Sequence, residues 1–206
     1  MKALLIIDVQ NDFFPGGTLP VATAPEILPA LNYLLSCPFD FIIATKDWHP
    51  SNHTSFAVNH NKIPGEIATL DDGIEQIMWP EHCVQETLGA EFAPGWKTEK
   101  VQKIFYKGTD RNVDSYSAFF DHRRDKATGL EEYLREHQVD TLYVVGLATD
   151  YCVLYSVLDA LTLGFKAYVV ADACRGVDLA PDDSAAALQK MKQAGAVIIE
   201  LQNFKH

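Results

Sequence analysis

Six short apolar runs alternate with segments of helical periodicity along this chain, and that rhythm constrains the fold more than any other feature. The runs are Lys2 to Asp8, Phe39 to Thr45, Val101 to Tyr106, Thr141 to Gly146, Lys166 to Asp172 and Ala196 to Leu201. Each is rich in Val, Ile, Phe or Tyr and none alternates strictly between apolar and polar residues, the pattern of strands covered on both faces. Between most of them lie helical patterns, over Pro25 to Ser36, Thr128 to His137, Val153 to Leu163 and Asp183 to Ala194. Pro181-Asp182 precedes the last of these as a cap, and Gly195 follows it as a stop. Strands and helices in alternation predict an α/β fold, a three-layer sandwich with a six-stranded, mostly parallel sheet between helices. For 206 residues, a single domain over residues 1–206 is the expectation.

The rhythm breaks once. From Asp47 to about Lys100 the chain is rich in His, Pro, Gly, Asn and Trp, and a stretch of this length without periodicity inside a compact domain tends to be functional. The net charge of −11 argues against nucleic acid and anionic membrane surfaces, which need clustered Lys and Arg. No run approaches the ~20 apolar residues of a membrane helix. The first apolar run leads directly into Asp8 without a cleavage-type site, so it reads as a strand, and a cytoplasmic location is expected. The cysteines Cys37, Cys83, Cys152 and Cys174 are scattered and suggest no disulfide scaffold.

Parallel α/β sheets bind ligands at the carboxyl ends of their strands. The residues there are Asp8, Asp47, Lys107, Cys152 and Asp172. Singly, each has a plain structural explanation, as a cap, a solvated charge or a small buried thiol. Together they bring carboxylates, an amine and a thiol to one edge. A thiol at a strand-to-helix junction, beside a carboxylate and an amine, is a nucleophile with its own proton acceptor and countercharge. Asp47 and His49, completed by His82, form a reasonable divalent-metal set with open positions, and His53 is a further candidate. Hydrogen bonding within the loop is the alternative for these histidines. His60, His122, His137 and His206 read as ordinary surface residues. Phe13, Phe14, Trp79 and Tyr116 could form a slot for a flat ring.

Five segments carry a family resemblance: Asp8-Val9-Gln10-Asn11-Asp12-Phe13, Asp47-Trp48-His49-Pro50, Trp79-Pro80-Glu81-His82-Cys83, Tyr106-Lys107-Gly108 and Gly146-Leu147-Ala148-Thr149-Asp150-Tyr151-Cys152. In this order they resemble the nicotinamidase branch of the isochorismatase-like cysteine hydrolases. The resemblance implies a catalytic triad of Asp8, Lys107 and Cys152, and metal ligands Asp47, His49 and His82, with His53 matching a position that ligates directly in some members and not in others. It implies an oxyanion hole from the N–H groups of Ala148 and Cys152, with a cis peptide at Leu147–Ala148. Phe13 and Trp79 match the positions that flank the substrate ring, and Tyr116 matches a further pocket position. The implied cofactor is one divalent metal ion, zinc foremost, with iron and manganese as alternatives. The implied partner is the small molecule nicotinamide, with pyrazinamide as a further substrate and self-association left open. Metal-free relatives would not need Asp47, His49 and His82 together. A two-His, one-carboxylate iron oxygenase would leave Asp8, Lys107 and Cys152 without a role, and a ligand-binding module would leave the triad without one.

Overall fold

The computed structural model describes residues 1–70 and 73–204; His206 lies outside them. The sheet is built from β1 (Lys2–Ile7), β2 (Phe41–Asp47), β5 (Lys103–Lys107), β6 (Thr141–Leu147), β7 (Lys166–Arg175) and β8 (Val197–Ile199). Their spatial order is β5-β2-β1-β6-β7-β8, and every neighbouring pair is parallel. The helices are α1 (Ile27–Leu34), α2 (Leu130–Glu136), α3 (Leu154–Thr162) and α4 (Asp183–Gln193). The expected α/β sandwich is therefore present. The topology puts the chain reversal beside β1, so the carboxyl ends of β2, β1 and β6 border the crevice where such sheets hold ligands.

Residues of β1 alternate between two cores, as a strand buried on both faces requires. Ala3, Leu5 and Ile7 join Leu134, Val157 and Met191 from α2, α3 and α4. Leu4 and Ile6 join Ile27, Leu31 and Leu34 of α1 on the other face. Among the described residues, that second layer holds only one of the four α-helices. Cys83, Ala90 and Trp96 from the irregular 47–100 stretch, with Phe204 near the end, complete it. The long loop is thus part of the core as well as a carrier of polar residues.

Several boundaries differ from expectation. The 47–100 stretch contains a two-stranded antiparallel hairpin, β3 (Ile67–Thr69) and β4 (Glu75–Ile77), too short to show a period. β7 runs on to Arg175 past a register shift against β6. Asp172 therefore lies inside the strand, away from the site, where its carboxylate accepts the Leu201 N–H at 2.5 Å. The cap of α4 also moves: Asp182 has a left-handed backbone and makes no side-chain cap bond, whereas Asp178 accepts the Ser184 N–H at 2.8 Å. Gly195 does end the helix region, at φ +111, a conformation that glycine adopts without a Cβ penalty.

Candidate active site

Four strand ends deliver the reactive groups. β1 stops at Ile7 and the chain turns sharply at Asp8, φ 48. β2 ends on Asp47 and β5 on Lys107. β6 runs into a cis Leu147–Ala148 peptide and then a wide helical turn, Thr149–Val153, that carries Cys152 ahead of α3. At the centre is the fully buried side chain of Lys107. Its Nζ lies 2.9 Å from Asp8 Oδ2 and 3.3 Å from Cys152 Sγ. It also donates to the carboxylate of Asp47 and, at 3.1 Å, to the Ser115 carbonyl. One ligand atom from each of Asp8, Asp47 and Cys152 falls within 4.8 Å of the others.

Burial and charge act against each other here. Burial pushes the Cys152 thiol well above its usual range, Lys107 opposes that, and Asp8 and Asp47 add to the rise. Burial also raises the Asp8 carboxyl despite Lys107. Lys107 itself is held charged, because Asp47 and Asp8 outweigh its desolvation. The balance leaves a proton on sulfur with a strengthened base beside it and a fixed cation between them.

The second group is Asp47, His49 and His82, whose ligand atoms also lie within 4.8 Å of one another. Asp47 Oδ2 is 3.6 Å from His49 Nε2 and 3.8 Å from His82 Nε2. Each histidine is oriented from behind: His49 Nδ1 meets the Gly108 carbonyl at 2.9 Å, and His82 Nδ1 meets the Pro80 carbonyl at 2.8 Å. A carbonyl on Nδ1 orients each ring and turns Nε2 inward, the arrangement of metal-binding imidazoles. Burial opposes the charged form of His49, but Asp47 outweighs it and raises that imidazole. Burial, reinforced by His49, lowers His82 to about 4, so it is neutral and able to ligate. Burial resists ionisation of Asp47, but Lys107 and His49 hold its carboxyl far below the usual range. The donor set fits a divalent cation.

A model of the isochorismatase domain matches residues 2–203. The chain belongs to the isochorismatase family. It is 45% identical over 207 residues to the nicotinamidase of Escherichia coli, covering 99% of this chain and 97% of that one. Its fold matches a solved nicotinamidase–pyrazinamidase structure from Acinetobacter baumanii with TM-score 0.93 and 47% identity, over 98% and 97% of the two chains. A pyrazinamidase structure from Pyrococcus horikoshii in complex with zinc matches with TM-score 0.76 and 36% identity, over 97% and 98%.

In this member of the isochorismatase family, a small pocket opens over the thiol. Its lining includes Phe13, Trp79, Tyr116, Ala148 and Cys152, together with Asp47 and His82. Trp79 Nε1 donates to the Tyr116 hydroxyl at 2.8 Å, and Tyr151 packs edge-on against Trp79 at 5.0 Å between centroids. Phe14 is not among the lining residues; it packs partly buried on the α1-side core.

His53 is brought beside the site rather than into the Asp47 group. Its ring lies 4.2 Å from that of His49, Nδ1 is 2.7 Å from Ser55 Oγ, and its ligand atom groups with those of His49 and Asp114. His60 is exposed as expected, but His122 and His137 are half-buried, packed against Tyr116 and Phe41 respectively.

Sequence reasoning missed several polar residues of this isochorismatase-family site. Gln10 clamps the backbone of Asp47, donating to its carbonyl at 2.8 Å and accepting its N–H at 2.9 Å. Asp12 accepts the Cys83 N–H at 2.7 Å and so fixes the turn after His82. Asp114 lines the pocket and accepts from Gln76 of β4 at 2.9 Å. Gln10 and Asp12 stand inside a recognisable segment. Asp114 and Gln76 stand in stretches without periodicity, where nothing in sequence marks them.

Proposed function

We propose that this chain hydrolyses the carboxamide of nicotinamide to nicotinate and ammonia, and that pyrazinamide is a further substrate. The observation that carries this reading is Lys107 Nζ set between Asp8 and Cys152, at 2.9 and 3.3 Å, beneath a pocket that also presents Asp47 and His82. Release of nicotinate makes the protein a contributor to NAD salvage. The free cysteines and acidic surface fit action in the cytoplasm, and no helix among the described residues is long and apolar enough to cross a membrane.

Asp8 takes the proton of Cys152 as sulfur attacks the carboxamide carbon. The N–H groups of Ala148 and Cys152 receive the developing oxyanion. Asp8 returns the proton to the leaving nitrogen, the carbon–nitrogen bond breaks, and ammonia departs from a thioester. Water deprotonated by Asp8 then attacks the thioester carbon, and nicotinate leaves as the thiol re-forms. Lys107 stays charged throughout and stabilises whichever of Asp8 and the sulfur carries the negative charge. Phe13, Trp79 and Tyr116 exclude water and hold the ring. Asp47, His49 and His82 would hold a divalent metal ion, zinc on our reading, which when bound supplies a Lewis-acid anchor for the pyridine nitrogen.

Ammonia release from nicotinamide, with and without a chelator, tests the whole reading. Wild-type protein turns nicotinamide over and loses activity with its metal. Cys152→Ala abolishes ammonia release while metal content, read by elemental analysis, persists. Turnover retained in that variant would remove Cys152 from the chemistry.

A further inference from the structure

The pocket's lining divides by burial into a floor and a rim. Phe13, Trp79, Ala148 and Cys152 are buried, whereas Leu19, Tyr151 and Val177 are half-exposed. Of the rim residues, Val177 is held in the most specific way. The carboxylate of Asp150, two residues before the nucleophile, accepts the Val177 N–H at 2.9 Å on one oxygen and the Asp178 N–H at 2.8 Å on the other. Asp150 is only 9% exposed, so both bonds form in a poorly solvated setting where charge-assisted bonds are strong. Gly176 lets the loop descend this far: a Cβ there would lie 3.0 Å from Asp150 Oδ1 and 1.9 Å from Ser184 Oγ. Asp178 continues the connection by accepting the Ser184 N–H of α4 at 2.8 Å. The loop 176–178 is thus fastened between the nucleophile turn and a helix, with its one apolar side chain presented to the pocket.

We propose that Val177, held in place by Asp150, is the size gate of the pocket: Val177 determines which molecules reach Cys152, and Asp150 is a positioning residue acting through it. This rests on the pocket's being the reactive site but not on the identity of the amide. The mechanism gives Asp150 no role, and a buried carboxylate two residues from the nucleophile costs desolvation unless its bonds are kept. Hydrogen-bonding the Val177 backbone to Asp150 ties the rim to the turn that carries the thiol. Truncating Val177 widens the opening. Replacing Asp150 by Asn removes the charge and leaves one carbonyl oxygen for two N–H donors, so the loop relaxes outward.

The gate is read independently of amide hydrolysis, through alkylation of Cys152. The rate with N-phenylmaleimide divided by the rate with iodoacetamide, each followed on the Cys152 peptide by mass spectrometry, cancels changes in thiol reactivity and reports access. Val177→Ala and Asp150→Asn should each raise that ratio about tenfold, the scale on which one or two methyl groups discriminate in an apolar pocket. The double variant should add little to the larger single effect, because both open the same wall. If neither variant changes the ratio, Val177 is not a gate. If only Val177→Ala changes it, Asp150 does not hold the gate. Because Val177 is half-exposed, its variant stays informative even where Asp150→Asn folds poorly. Failure of the wild-type protein to release ammonia from nicotinamide would overturn the hydrolase reading and leave the alkylation ratio interpretable.

Discussion

The geometry of the proposed metal group depends on a residue that contributes no ligand. Gly108 follows Lys107 directly and has φ +62, and a Cβ on it would stand 2.3 Å from His49 Cε1. Its carbonyl orients the same imidazole at 2.9 Å. Gly108→Ala is therefore expected to push His49 out of line while leaving Lys107 in place. We expect metal affinity to fall by about 10- to 100-fold, as when an orienting partner of a ligand is lost, and metal content after dialysis measures it. At this scale the sequence was legible where chemistry coincides with periodicity. Asp8, Asp47 and Lys107 stand where apolar runs end, and Cys152 stands where one gives way to a helix. Gln76 and Asp114 were not, because an isolated polar residue in an irregular segment is marked only by a long-range contact, and Asp150, though inside the segment that ends at Cys152, has a partner equally hidden. The bond from Gln76 to Asp114 spans 38 residues, and that from Val177 to Asp150 spans 27.

Among elements, the pairing of β1 with β6 sets the position of the Cys152 thiol relative to the Asp8 carboxylate. Their register aligns Ile7 with Gly146, the last paired step before Asp8 on one side and the Ala148–Cys152 turn on the other. Gly146 has φ +116, and a Cβ would lie 2.1 Å from the Ile7 carbonyl oxygen. Backbone there cannot yield as a side chain would. Gly146→Ala should cost about 3 kcal/mol or more, combining overpacking with a left-handed conformation. Gly164→Ala is the control: its φ is +86 but nothing lies within 4 Å of the added carbon, so only the conformational part, about 1 kcal/mol, remains. Urea unfolding of the two variants separates the contributions. The strands of the main sheet were visible as apolar runs, with ends off by a few residues. The β3–β4 hairpin was not, since three-residue strands carry no detectable alternation, and the turn at Thr149–Val153 was read as simple entry into α3.

For the molecule as a whole, the sandwich was legible because each layer repeats its own period, and the asymmetry of its layers was not. The face opposite α2, α3 and α4 is finished by residues whose burial no local pattern announces, Cys83, Ala90 and Trp96 among them. Buried thiols on both faces give the molecule a pH limit. Burial pushes Cys174 up to about 12 and raises Cys37 and Cys83 in the same direction. An unfolded cysteine loses its proton near pH 8.5. Above that pH the native state binds protons that the unfolded state has released, so stability declines as pH rises from about 8.5 towards 12 and is unaffected by these groups below that window. The urea midpoint should fall across that range, and Cys174→Ala should flatten the decline; an unchanged slope would remove Cys174 as a cause. The parallel order β5-β2-β1-β6 has a kinetic consequence. Lys107 comes from the outermost of these strands, and its partners Asp8, Asp47 and Cys152 lie in segments separated by crossovers of dozens of residues. No fragment of the chain can assemble even two of these groups through local contacts, so loop closure precedes any functional gain. On refolding from urea, secondary structure should return first and catalytic competence last, with no partially active intermediate along the way.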